Sequence, residues 1–112
     1  MAKRILVLAD SIGRGDGELG RLLMKNFLYS LARAEARPSA VMLMNEGVRL
    51  ACTGSESLDD LMLLVEHGVT VTACGTCLDF LGITDRLAVG KIGTMPASVD
   101  ALIGADDVVT IA

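Results

Sequence analysis

Two cysteines stand three positions apart in Cys74-Gly75-Thr76-Cys77. A thiolate is a strong nucleophile, and its formation depends on what surrounds it. The preceding Val69-Thr70-Val71-Thr72-Ala73 reads as a strand, which puts the motif at the strand's carboxyl end and at the start of the next helix. Unpaired backbone N–H groups and the positive end of a helix dipole stabilise a thiolate there, and the second thiol can share a hydrogen bond with it. The first cysteine of such a pair is expected nearer the helix terminus and the solvent. Cys74 is therefore the expected nucleophile and Cys77 the resolving thiol, with Gly75 leaving room for the second sulfur to approach.

Other readings compete. Free cysteines are often simply buried. A structural zinc site takes four ligands, and this motif supplies two. Cys52 and His67 are the remaining candidates, but His67 belongs near the far end of its helix, a strand's length from Cys74. An iron–sulfur cluster normally takes four thiolates. No metal and no cofactor are therefore expected. A thiol-disulfide redox protein of thioredoxin type shares the local strand, C-x-x-C and helix. Here, however, the motif follows the third strand, and Pro38 and Pro96 lie where helix entry or a turn explains them.

The elements that must position the thiols alternate. Strand-like runs recur at Arg4–Ala9, Ala40–Met44, Val69–Ala73, Leu87–Ile92 and Asp107–Ile111. Leu19, Leu22, Leu23, Phe27 and Leu31 form one face at helical spacing, as do Leu58, Leu61, Met62 and Val65. Thr53 with Glu56 offers a capping box for the second helix, and Gly68 a C-terminal cap. A short helix is expected to begin within Leu78–Leu81, and another to run from about Met95 to Ile103, with Pro96 in its first turn and Gly104 after it. This order predicts a single domain over residues 1–112, a three-layer α/β/α fold around a five-stranded parallel sheet.

In such a sheet, chemistry gathers in the loops after the carboxyl ends of the strands. Two further loops are then expected to border the thiols and line a substrate pocket. One contains Gly13, Gly15, Asp16 and Gly17, and the other Asn45 and Gly47; Gly75 and Thr76 complete the set. Gly15 to Gly20 spells G-x-G-x-x-G, but five residues separate it from its strand, and Asp16 and Glu18 would repel a pyrophosphate. Tight turning and helix capping explain these glycines. Asn45 is read chiefly as a turn former, Cys52 as a buried filler, and the six Met residues as core.

Composition narrows the partners. The chain of 112 residues is 52% apolar, carries a net charge of −4 and has a mean hydropathy of +0.54. No uncharged apolar stretch approaches the roughly 18 residues a membrane span needs. The apolar run at the N-terminus ends at Asp10, too early for a signal peptide, so a cytoplasmic address is expected. Ten scattered Lys and Arg residues and three aromatics argue against nucleic acid. So much apolar surface on so small a body leads one to expect a homo-oligomer: a dimer, trimer or hexamer.

Several motifs occur in a particular order: Ile12-Gly13-Arg14-Gly15-Asp16-Gly17-Glu18-Leu19-Gly20 with Leu23-Met24-Lys25 and Phe27, then Asn45-Glu46-Gly47-Val48, then Cys74-Gly75-Thr76-Cys77-Leu78-Asp79-Phe80, then Leu87-Ala88-Val89-Gly90. Together they resemble the C-terminal domain of YedF-type selenium-metabolism proteins, of the DsrE/DsrF/TusD-like family, along essentially the whole chain. The resemblance implies a DsrE-like fold, a cytoplasmic oligomer, and sulfur handling through a cysteine persulfide at Cys74. It implies protein sulfur donors and acceptors as partners, TusA-like or other persulfide carriers. Two alternatives stay open beside the sulfurtransferase-like persulfide carrier. One is a non-catalytic scaffold or small-ligand-binding subunit, and the other a thiol-disulfide redox protein.

Overall fold

The computed structural model describes residues 3–112; Met1 and Ala2, part of the short basic N-terminal stretch, lie outside them. Five strands, β1 (Lys3–Val7), β2 (Ala40–Leu43), β3 (Thr70–Cys74), β4 (Lys91–Gly93) and β5 (Asp107–Ile111), form one parallel sheet in the order β4-β3-β2-β1-β5. Helices α1 (Gly17–Arg33), α2 (Leu58–Glu66), α3 (Gly75–Leu81) and α4 (Met95–Ile103) connect them, with 3-10 helices at Asn45–Ala51 and Thr84–Arg86. The first three crossovers step in one direction along the sheet and the fourth steps back. Right-handed connections therefore put α1, α2 and α3 on one face and α4 on the other.

The core lies on the three-helix face. Ile5, Val7, Val41, Leu43, Val71 and Ala73 point into it from the sheet, and Met24, Leu28, Leu61, Leu64 and Leu78 meet them from the helices. The buried row of α1 is Gly20, Met24, Leu28 and Ala32, four residues apart. It is not the expected face, since Leu19, Leu22 and Leu23 are exposed and only Phe27 and Leu31 flank the core. Apolar residues occupy more of the α1 circumference than one contact can cover. The sheet took the row holding a glycine, because a Cβ on Gly20 would stand 3.0 Å from the Ile12 carbonyl oxygen.

In α2 the buried apolar residues are Leu61 and Leu64, whereas Met62 and Val65 are exposed. Asp60 sets this rotation: its carboxylate is 2% exposed and pairs with Lys25 at 2.9 Å and Arg33 at 3.0 Å, both on α1. Lone buried carboxylates are costly, and two cations with hydrogen bonds offset that cost here. Arg33 also lies over the Tyr29 ring, 3.6 Å from its centre.

Caps follow the expectations in part. Thr94 accepts from the Ala97 N–H ahead of Pro96, and Gly68 follows the C-cap of α2. The Thr53–Glu56 capping box does not form. Ser57 stands at the N-cap of α2 and makes no side-chain cap, its own N–H bonding instead to the Ser55 hydroxyl. The fourth strand begins four residues later than expected. Leu87 bridges to Cys52, and Ala88 and Val89 both donate to the Ala51 carbonyl, so this apolar run closes over the 3-10 helix before the turn at Gly90.

The face covered by α4 is thinly protected. Ala40 and Met42 are buried, but Ser98 is the buried residue of α4, while Met95, Val99 and Ile103, spaced by four, are exposed. Among the described residues no helix is long and apolar enough to cross a membrane.

Candidate functional site

Cys74 is the last residue of β3 and the N-cap of α3, and Cys77 lies one turn on. All three cysteines are free thiols. The expected exposures are reversed: Cys74 is 7% exposed, and Cys77 is the half-buried, more accessible member of the pair. The reason is positional, since Cys74 still lies within the sheet, paired in register with Gly93 of β4.

Gly75 also serves differently from the expectation. A Cβ there would stand 3.0 Å from Ile92 Cγ2 and 3.3 Å from the Gly93 carbonyl oxygen. The space that glycine leaves is filled by β4, not reserved for a sulfur. Thr76 is exposed on the first turn of α3.

Asn45 comes to the thiols from 32 residues away. It has a φ of +52°, a left-handed conformation that Asn tolerates better than most residues. That turn aims its backbone N–H at Cys77 Sγ, 3.1 Å away, while its side-chain oxygen accepts from the Glu46 N–H at 2.9 Å. The side chain is thus occupied in making the turn, and the backbone makes the contact with sulfur. Two residues on, Gly47 lies against the end of β1, where a Cβ would be 2.5 Å from the Val7 carbonyl oxygen. Any larger residue would displace the 3-10 helix that carries Asn45. Gly47 thus supports the site from behind.

The glycine loop plays a capping part. Asp16 is the N-cap of α1 and accepts from the Leu19 N–H at 3.0 Å, and Gly13 donates to the Ala112 carbonyl. Among the described residues no hydrogen bond or ion pair joins Gly13, Gly15, Asp16 or Gly17 to either thiol of the pair. The strand order accounts for this, because β1 is separated from β3 by β2.

The two thiols are electrostatically linked. Burial pushes the Cys77 thiol up, and so do its hydrogen bond to Cys74 and the charge Cys74 would carry; the Asn45 N–H partly offsets them. Replacing Cys74 by Ala removes two of the causes that raise Cys77. The alkylation of Cys77 by iodoacetamide is then expected to become faster at neutral pH, and its pH–rate profile to shift to lower pH. An unchanged profile would mean the thiols do not communicate.

Sequence reading missed two features, the Asp60 ion pairs and a cleft around Cys52. It expected the Asn45 loop beside the thiols, but not that the backbone N–H of Asn45 would be the group that meets Cys77. Cys52 is buried, as expected. Its thiol donates to the Val48 carbonyl, and burial pushes it up against the opposing influence of Arg49 and Arg86. Arg49 is itself raised by its ion pair with Glu46. His67 is exposed at the C-cap of α2.

No protein-family profile and no curated protein matches the chain. Solved structures do resemble it. The YchN protein from E. coli superposes with a TM-score of 0.73 at 23% identity, covering 99% of this chain and 100% of that one. A protein of unknown function from Methanobacterium thermoautotrophicum, MTH1491, gives a TM-score of 0.63 at 20% identity, over 98% and 99% of the two chains. A conserved protein of unknown function from Bacteroides thetaiotaomicron, BT1422, gives 0.62 at 11% identity, over 96% and 94%. At these identities the likeness concerns the backbone arrangement alone: the chain has an α/β fold, a five-stranded parallel sheet between helices, that it shares with YchN.

Proposed function

We propose that this chain is a sulfur-relay protein that carries a persulfide on Cys74, with Cys77 as the resolving thiol. The observation that carries the reading is the pair of free thiols, Cys74 and Cys77, at the carboxyl end of β3 and the start of α3, with the Asn45 N–H donating to Cys77 Sγ. The Cys74 thiolate attacks the outer sulfur of a donor persulfide, R-S-SH. The new bond gives Cys74-S-SH, and cleavage of the donor's S–S bond releases RS⁻. An acceptor thiolate then takes the outer sulfur in the same way. Alternatively, Cys77 thiolate attacks Cys74 Sγ, forming the internal disulfide and releasing HS⁻. Cys74 is the less accessible of the two thiols, so transfer from a donor requires the chain around it to open.

The resemblance to YedF-type proteins extends the reading to selenium in place of sulfur, to protein donors and acceptors such as TusA-like carriers, and to a cytoplasmic address. The test is to incubate reduced protein with a persulfide donor and weigh it intact. A gain of one sulfur atom, reversed by reductant, is expected. No gain, with both thiols of the pair unreactive until unfolding, would favour the second reading, a non-catalytic scaffold subunit. The low exposure of Cys74 is the observation on that side.

The homo-oligomer belongs to the same proposal. Its support is the exposed row Met95, Val99 and Ile103 on α4, beside partly exposed Val108 on β5, over a sheet face that parallel sheets ordinarily cover. Light scattering is expected to give a multiple of the 11.7 kDa chain mass. The double substitution Val99→Asp with Ile103→Asp should reduce it to one chain without unfolding it, both side chains being exposed. A strict monomer in the unsubstituted protein would count against the assembly.

A further inference from the structure

Apart from the thiol pair, a cleft of about 400 Å³ opens at the carboxyl edge of the sheet, between the first half of α1 and the segment that links the 3-10 helix to α2. That volume falls within the usual range of small-molecule sites, and the edge is where open α/β sheets bind ligands. Neither Cys74 nor Cys77 lines it. Its floor is apolar, with Leu50 and Ile83 buried there.

The walls carry charge of both signs. Arg21 and Arg86 line the cleft, and neither makes an ion pair among the described residues; the same holds for Asp10 and Glu56 on the same walls. The other two cations of the lining are already engaged, Lys25 by Asp60 and Arg49 by Glu46. Two guanidiniums and two carboxylates thus line one cavity without closing a salt bridge among themselves, the charge of Asp10 also being felt by Arg49. A simple anion such as phosphate would meet Asp10 and Glu56, and a simple amine would meet Arg21 and Arg86. A molecule with a carboxylate and an ammonium group matches both, and the apolar floor suits an aliphatic or thioether side chain.

We infer that this cleft binds a zwitterion of the amino-acid class, either a free amino acid or a short peptide, with Arg21 and Arg86 on its carboxylate and Asp10 and Glu56 on its ammonium group. Guanidinium forks hold carboxylates in fixed orientation. The site is independent of the persulfide reading, since it uses neither thiol of the pair.

The test is a titration of the 15N-labelled full chain, read by amide shifts, with L-leucine, L-methionine and S-methylglutathione. Inorganic phosphate, acetate and ethylamine serve as one-charge controls. Saturable shifts confined to residues around Arg21, Thr53–Ser55 and Arg86 are expected for at least one zwitterion, and none for the controls. Arg86→Gln and Asp10→Asn should each weaken that binding by about tenfold or more while leaving the remaining amide spectrum in place, which reports an intact fold. Binding of phosphate as tight as that of any zwitterion would overturn the inference. So would an absence of saturable shifts with all three zwitterions, or affinity unchanged in Asp10→Asn.

Discussion

Replacing Cys74 by Ser is expected to abolish sulfur loading, while Cys77→Ser retains it and lengthens the life of the loaded form. The contrast follows from the order of chemical events. A serine hydroxyl at position 74 is no nucleophile toward a persulfide at neutral pH. Removing Cys77 instead takes away the group that would expel sulfide by forming the internal disulfide. Cys74 carries few degrees of freedom, lying at the end of a strand paired with Gly93, so its replacement by the similar-sized Ser should leave the fold intact. Mass spectrometry of both variants after identical exposure to donor reads the result. Full loading of Cys74→Ser would transfer the nucleophile's role to Cys77, the more accessible thiol.

The largest effect on stability is expected at Gly90. Its φ is +84°, and a Cβ there would stand 2.5 Å from the backbone carbonyl oxygen of Val71. Backbone cannot move aside as a flexible side chain can, so Gly90→Ala meets two costs. A left-handed conformation costs an L-residue about 1–2 kcal/mol, and overpacking typically costs about 1–3 kcal/mol more. The expected loss is about 2–5 kcal/mol, or a fall in Tm on the order of 10 °C for a domain of this size. Gly54→Ala supplies the control, because Gly54 has a φ of +92° with nothing within 4 Å of its would-be Cβ. It should show the backbone cost alone, about 1–2 kcal/mol. Equal losses at the two positions, measured by thermal or urea unfolding, would show that the approach to Val71 contributes nothing. The site depends on this turn, since Gly90 leads into the short strand whose Ile92 and Gly93 fill the space beside Gly75.

The parallel α/β arrangement was readable because the apolar residues come in five short runs separated by helical spacing, and one direction of chain progression leaves few ways to connect them. Burial within each element was less readable. In α1 the sequence offers two overlapping apolar rows, and only burial in the common core and the approach of the Ile12 carbonyl select Gly20, Met24, Leu28 and Ala32. In α2, Asp60 looks like an ordinary solvent-facing carboxylate until Lys25 and Arg33 are seen to converge on it. The run Leu87–Val89 has the composition of a strand, yet its hydrogen bonds go to Ala51, a pairing that no local pattern announces.

The same distinction holds at the site. The Cys74–Cys77 pair was legible because its members are neighbours in sequence and the strand before them is clear. Their relative exposure was not, because the general rule for such pairs takes no account of Cys74 being paired to β4. The Asn45 contact involves a backbone N–H, which side-chain type does not encode, and the charged cleft draws its walls from four separate segments.

Peptide mapping of the unsubstituted chain tests most directly whether Cys74 is the residue that carries the sulfur. Reduced protein is exposed briefly to a persulfide donor, trapped by alkylation at the earliest time that shows a mass gain, digested, and sequenced by mass spectrometry. The first sulfur is expected on Cys74. Sulfur found first on Cys77 or on Cys52, or no gain in the folded protein at any donor concentration, would contradict it.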